Sequence, residues 1–445
     1  MTHYDRGMAA FEALFVPAGL RAAVSGRAWL EGMLASERAL ARAAAAAGLV
    51  PAAAAAEIEA ACDPARFDFS QLLEDGRAAG NPVEPLVRAL AASVGDDVSR
   101  HVHRGATSQD ILDTAAMLVG RRALQLVLHE SDRVVAACAA LAREHRSTPM
   151  AARTLLQQAV PTTFGLKAAG WLIGVAEARA LLAEIAEERL AAQLGGAAGT
   201  LSGFGDEGIR VLELYAEELD LAVPALPWHT NRARIAALGG ALDIAAGAAA
   251  KIALDVLLLA QTEVGEISAG AGASSTMPQK RNPVGAALAR ASARLAAAHA
   301  SVLTDALDHE HERAAGAWHA EWDALSGALA HTGGALATVA DTLEALEVHP
   351  ERMRANLELL GGLVLAERVA FRLLNRLGRA EAQAIVREAA AAAGDDESFR
   401  DVLLADERAG FDAAELDELL DPATALGSAE ALVDRALDLH AGAGA

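Results

Sequence analysis

The chain has only two cysteines in 445 residues, Cys62 and Cys138, and they lie far apart. No disulfide framework and no cysteine-based metal or redox spacing is available, and such sparse usage suits a reducing compartment. Aromatic residues make up 4% of the chain although hydrophobic residues reach 53%. The apolar content is therefore mostly alanine, leucine and valine. That mixture favours helix over sheet, and no strand-like alternation of useful length is visible. Positive charge is scarce: 38 Lys and Arg stand against 60 Asp and Glu, a net charge of −22. This balance argues against nucleic acid or an anionic membrane as partner. Long hydrophobic runs are missing as well. The longest stretches without Asp, Glu, Lys or Arg, residues 190–205 and 324–340, are rich in small residues. They fall short of the roughly twenty apolar residues a membrane span needs. The opening residues include His3, Asp5, Arg6 and Glu12, which is no secretory pattern, so a cytoplasmic location is the expectation.

What is present is helical periodicity. Trp29, Leu30, Met33, Leu34, Leu40 and Ala41 suit an amphipathic helix over 27–47. Shorter helices are predicted at 51–61, at 69–75 with Gly76 as a stop, and from Pro82 past Leu90. Residues 110–145 and 162–194 contain no proline, and each predicts one long helix. Beyond Thr230, the residues Ile235, Leu238, Leu242, Ala245, Ala249, Ile252, Val256 and Leu259 are spaced by threes and fours, a bundle seam. A second seam runs Trp318, Trp322, Leu325, Leu329, Thr332, Leu336, Val339, Leu343, Leu346. Helices of about thirty residues are about 45 Å long. Several of them imply an all-α fold built on a long antiparallel bundle, with leftover apolar stripes buried against other subunits. After Pro350 the helices shorten and are punctuated by Gly361, Gly378, Gly394 and Pro422. The expected division is a small helical domain over 1–108, a central long-helix bundle over 109–349, and a small helical domain over 350–445.

One stretch breaks the pattern. Residues 265–283, GEISAGAGASSTMPQKRNP, form a connection several times longer than helices need, with its polar residues bunched at one end. Asn282 suits an N-cap and Pro283 a first helical position. Lys280, small hydroxyls and backbone N–H groups then converge on an anion site at a helix start. The acidity of the whole chain does not forbid this, because exposed charges are screened beyond about 10 Å.

The run from Ser274 to Pro283 resembles the signature loop of the fumarase/aspartase superfamily, GSSxMPxKxNP, with Ala273 in place of the glycine. A second segment, His103-Arg104-Gly105-Ala106-Thr107-Ser108-Gln109-Asp110 continuing to Asp113-Thr114, is similar to the HxGxTSxDxxDT of its adenylosuccinate-lyase branch. A third, from Arg153 to Gly165, is similar to RTHxQxAxPxTxG, but Leu155 stands where many fumarate-forming members carry a histidine. Leucine cannot move a proton, so any acid–base pair that used that histidine is missing. The stretch HERAAGAWHAEW, His311 to Trp322, and the run Ala79-Gly80-Asn81-Pro82-Val83 look like the 3-carboxy-cis,cis-muconate cycloisomerase branch.

The resemblance implies addition or removal of a group across a carbon–carbon bond beside a carboxylate, through an enediolate-like anion. Ser274 would carry the carbon proton, with Lys280 and amide dipoles stabilising its alkoxide, and His103 would serve as general acid. Thr107, Ser108, Thr154, Gln157, Ser275, Lys280, Asn282 and Arg313 would bind substrate. It implies a small anionic tricarboxylate substrate, no cofactor, and a homotetramer with composite active sites. No metal is expected, since His309, His311 and His319 have no recognised ligand spacing. The cycloisomerase is the leading expectation. An adenylosuccinate-type lyase and a catalytically silent structural homologue are the alternatives.

Overall fold

The structure, a computed structural model, describes residues 10–269, 272–273, 280–394 and 397–443. The fold is all-α. Its six longest helices among the described residues are α1 (Gly26–Ala46), α2 (Ser108–Glu144), α3 (Phe164–Glu184), α4 (Ala233–Leu259), α5 (Val284–Asp305) and α6 (Ala317–Glu344). The strands are short: β1 (Pro149–Thr154), β2 (Gln157–Thr163), β3 (Ile267–Ala269), β4 (Gly272–Ala273), β5 (Arg281–Asn282) and β6 (Leu346–Val348). Among the described residues the ladders are single antiparallel pairs, β1 with β2, β3 with β6 and β4 with β5. No helix among the described residues is long and apolar enough to cross a membrane.

The chain divides into two compact units, one of residues 1–132, 177–250 and 288–338, the other of 133–176, 251–287 and 339–445. In the first unit, α1 and α2 approach closely at Gly32, where a Cβ would come within 3.1 Å of the Ala115 backbone. Leu30, Met33 and Leu34 of α1 and Ile111, Ala115 and Leu124 of α2 are buried. Each fully buried Leu, Ile or Met side chain contributes roughly 1.5–3 kcal/mol. In the second unit, Trp171 of α3 donates to Asp255 of α4 at 2.7 Å. Val369, Leu373, Ile385, Phe399, Leu403 and Leu416 form the core of its C-terminal part.

Both predicted seams are buried. Every residue of the first, Ile235 to Leu259, has under a tenth of its surface exposed. The second is buried except for the half-buried Trp322 and Leu346. The helix expected over 162–194 stops earlier, at Glu184, and unwinds through a π-helical turn, Ile185–Arg189. The backbone beyond it is drawn into another interaction: Ala222 donates to the Leu190 carbonyl at 2.9 Å and Ala192 to the Ala222 carbonyl at 3.1 Å. The β1–β2 hairpin corrects the expectation that no useful strand is present, since Pro149–Thr154 and Gln157–Thr163 pair antiparallel. Its two-residue turn, Leu155–Leu156, has φ of +50° and +65°, a conformation usually given to Asn-Gly.

Candidate active site

In the first unit the site grows from the turn that delivers the chain into α2. His103 adopts φ +56° and is half-buried, with Nδ1 2.5 Å from Oε1 of Glu37 on α1. Burial opposes the imidazolium, but the Glu37 carboxylate outweighs it and holds His103 above its ordinary value. The Glu37 carboxylate thus favours the charged form of the ring, whose Nδ1 it engages. Gly105 is left-handed at φ +74°, and a Cβ there would meet the Phe204 ring at 2.8 Å. Residue 196 must also be glycine, since its Cβ would lie 2.8 Å from the Gly105 carbonyl. The turn therefore lies directly on the 195–205 connection.

Asp110 organises this contact. It is fully buried and accepts from the backbone N–H groups of Gly195 and Gly196, each at 2.9 Å, and of Thr107 at 2.9 Å. Nε2 of His229 lies 2.6 Å from Oδ1, the oxygen that also accepts from Gly195. The Thr107 bond is the reach-back half of a capping box. Helix capping is thus done by Asp110. The hydroxyls of Thr107 and Ser108, both half-buried, have no hydrogen-bond partner among the described residues.

Arg313 reaches the same place from the segment before α6. Nη1 donates to Oε1 of Gln109 at 2.8 Å, and Nη2 donates to the carbonyls of Gly196 at 3.2 Å and Ala197 at 2.7 Å. Three acceptors fix the guanidinium beside the Thr107–Ser108 helix start. The structure therefore brings together His103, Thr107, Ser108 and Arg313 in one unit. Below them is a buried ionic cluster. Arg232 donates to both oxygens of Asp113, at 2.8 and 3.0 Å, and to both oxygens of Glu321, at 2.9 Å from Nε and in a second, shorter bond from Nη2. Trp318 donates to Asp113 at 2.9 Å.

The second unit holds Thr154, Gln157, Lys280 and Asn282. Thr154 and Gln157 are register partners at the hairpin tip and are exposed, as are Leu155 and Leu156 between them. One register pair below the tip the hairpin is fixed by Arg153, which donates to both oxygens of the fully buried Glu266, at 2.9 and 2.7 Å. Asn356 donates to the same carboxylate at 2.8 Å. In the signature segment Gly272 pairs with Asn282 and Ala273 with Arg281, so the residues flanking 274–279 run side by side. Lys280 is exposed. Ser274 and Ser275 lie outside the described residues. Helix α5 opens at Val284, one residue later than expected, with Pro283 supplying the first accepting carbonyl, to Ala287 N–H at 3.2 Å, and Asn282 in β5.

Glu37, Gln109, Asp110, Asp113, His229, Arg232, Glu266 and Glu321 were not singled out by pattern. Asp110 and Asp113 do stand out as charges at the start of an apolar helix, three apart and hence on one face. Gln109 and Glu321 lie within the quoted segments His103–Thr114 and His311–Trp322, which gave them no role, and Glu37, His229, Arg232 and Glu266 carry no local signal, because their partners are remote in sequence.

Residues 19–297, well over half of the chain, match the family described as Lyase. The chain belongs to the fumarase/aspartase superfamily. Within that superfamily, residues 362–436 match the adenylosuccinate lyase C-terminus. Among similar proteins is a 3-carboxy-cis,cis-muconate cycloisomerase of Bradyrhizobium diazoefficiens, 45% identical, the match covering 95% of this chain and 96% of that one. A nitrosuccinate lyase of Streptomyces davaonensis is 50% identical, covering 94% and 92%. The crystal structure of the 3-carboxy-cis,cis-muconate lactonizing enzyme from Pseudomonas putida superposes with a TM-score of 0.93 at 41% identity, covering 98% of this chain and all of that one.

Proposed function

We propose that the chain is a cofactor-independent 3-carboxy-cis,cis-muconate cycloisomerase that closes a lactone ring in aromatic-acid degradation. A carboxylate oxygen of the substrate forms a C–O bond to one alkene carbon. The π electrons move toward the neighbouring carboxylate, and the carbon beside it takes a proton, so no fragment is released. Ser274 carries that proton. Lys280, Asn282 and the start of α5 stabilise the enediolate-like anion, and Arg313 with Thr107, Ser108, Thr154, Gln157 and Ser275 holds the carboxylates. The ring closure takes up that one proton only; His103, whose charged form Glu37 favours, is the proposed general acid of the site. The observation that carries this reading is Arg313: it lies in HERAAGAWHAEW and is fixed by Gln109 and two carbonyls. Leu155 agrees with it, because an internal nucleophile leaves no amine or hydroxide to protonate.

A lyase that releases fumarate is the second reading, favoured by the match to the adenylosuccinate lyase C-terminus and by the 50% identity to a nitrosuccinate lyase. One spectrophotometric comparison decides. Loss of the conjugated diene absorbance of carboxymuconate supports the cycloisomerase, whereas fumarate formed from adenylosuccinate, or fumarate with nitrite from nitrosuccinate, supports a lyase. Activity on none of the three sinks both and favours a catalytically silent homologue. A cytoplasmic homotetramer with sites assembled from different copies, and domain limits near residues 108 and 349, belong to the same proposal. Light scattering on the purified chain reads the oligomer directly.

A further inference from the structure

His309 is the one imidazole among the described residues whose two nitrogens are both buried without a well-aligned hydrogen bond, the backbone of His229 being its one loose polar contact besides Glu321. Its side chain has no exposed surface, and Nε2 lies 3.4 Å from Oε1 of Glu321 but out of line for a hydrogen bond. A polar ring left in this state is costly, and an apolar ring of the same shape would cost less. Its position in the chain suggests what offsets the cost. His309 is four residues before Arg313, and the turn between them is held at several points. Thr230 donates to the carbonyl of His311 at 3.0 Å, His311 itself adopts φ +46°, and the Arg313 N–H donates to the Glu310 carbonyl at 3.1 Å.

The side chains close a ring. Arg313 donates to Gln109 at 2.8 Å, Gln109 donates to Asp113 at 3.0 Å, Arg232 joins Asp113 to Glu321, and Glu321 faces His309, whose backbone leads back to Arg313. We propose that His309 and Glu321 are positioning residues for Arg313, setting the 309–313 turn so that the guanidinium is held ready for a substrate carboxylate. The inference rests on the reading of Arg313 as the carboxylate-binding group. Burial holds Glu321 up at about 7 against the pull of Arg232, and burial together with Arg232 keeps His309 below its ordinary value, which favours the neutral ring. A buried ionic cluster of this kind is weak evidence for stability alone, since apolar side chains could replace it. A preorganising role explains why it is kept.

The test uses His309→Phe, His309→Asn and Glu321→Gln in the full chain, with crystal structures and kinetics. His309→Phe is expected to melt at or above the wild-type temperature, while Arg313 moves out of hydrogen-bond reach of Gln109. KM for carboxymuconate, and the calorimetric Kd for propane-1,2,3-tricarboxylate, should rise about tenfold with kcat changed less than about threefold, and His309→Asn should restore part of the loss. An Arg313–Gln109 contact unchanged in His309→Phe overturns the proposal. If that variant does not fold, the same contact in the near-isosteric Glu321→Gln decides it. The crystallographic distance requires no substrate, so a wild type inert toward carboxymuconate sinks the proposed activity without prejudging this inference.

Discussion

Nη1 of Arg313 donates to Oε1 of Gln109 at 2.8 Å, and the amide nitrogen of the same Gln109 donates to Asp113 at 3.0 Å and to the His229 carbonyl at 2.8 Å. One neutral side chain thus links the proposed carboxylate-binding arginine to the buried ionic cluster. Gln109→Met keeps the volume and removes all three bonds. We expect kcat/KM on carboxymuconate to fall about 10–100-fold, the value of a hydrogen bond to a charged group. Wild-type KM in the folded variant would show that Gln109 is structural only.

Ser274→Ala should abolish turnover without unfolding the chain, because positioned proton transfer contributes about 10²–10⁴ in rate. Activity above about a tenth of wild type would reject Ser274 as the proton carrier. Lys280→Met should weaken binding or turnover in a protein with an unchanged melting curve, and wild-type kinetics there would remove the ammonium from the mechanism.

Glu266 is fully buried and shared between Arg153 and Asn356. Glu266→Ala leaves the guanidinium uncompensated and should lower unfolding free energy by about 3–5 kcal/mol. The double variant Arg153→Met, Glu266→Leu should recover most of that loss. Denaturant midpoints of the two variants measure it, and equal midpoints would mean that the pair is not coupled.

His331 is buried, stacked on His299 at 5.9 Å and met edge-on by Phe15 at 6.2 Å. Burial, with a smaller push from His299, lowers it from 6.5 to about 4. The folded state therefore binds fewer protons than the unfolded state between those values. Its contribution to stability is present above about 6.5 and is lost as pH falls toward about 4, on the order of 3 kcal/mol. Glu321, raised by burial, acts in the opposite sense, so the comparison is between variants: unfolding free energy of His331→Phe should fall less steeply over this window than wild type. Parallel curves would assign acid sensitivity elsewhere.

The hairpin turn sets two leucines at positive φ, 97% and 76% exposed. Replacing Leu155–Leu156 by Asn-Gly relieves strain of about 1–3 kcal/mol per residue in part, and should raise the melting temperature of the isolated chain. A lower melting temperature would show that the leucines make contacts worth more than the strain.

The long helices were legible because helical burial repeats every 3.6 residues and both seams keep that rhythm, from Ile235 to Leu259 and from Trp318 to Leu343. Short-range chemistry was legible too: Gly76 stops the helix Phe69–Asp75, and Pro51 precedes Ala52–Ala61. The hairpin was not, because Thr154-Leu155-Leu156-Gln157 lacks the glycine or asparagine that normally announces such a turn.

Sequence alone determined the helical class, the superfamily and the residue types that handle an anion, since those depend on local periodicity and on motifs contiguous in the chain. Only the tertiary structure decided that Glu37 pairs with His103, that Gln109 accepts from Arg313, and that Arg232 lies between Asp113 and Glu321. Those pairings join residues between 66 and 204 positions apart. A buried charge is tolerable only where its partner is brought to it, and which partner arrives is settled by packing rather than by neighbours in the chain.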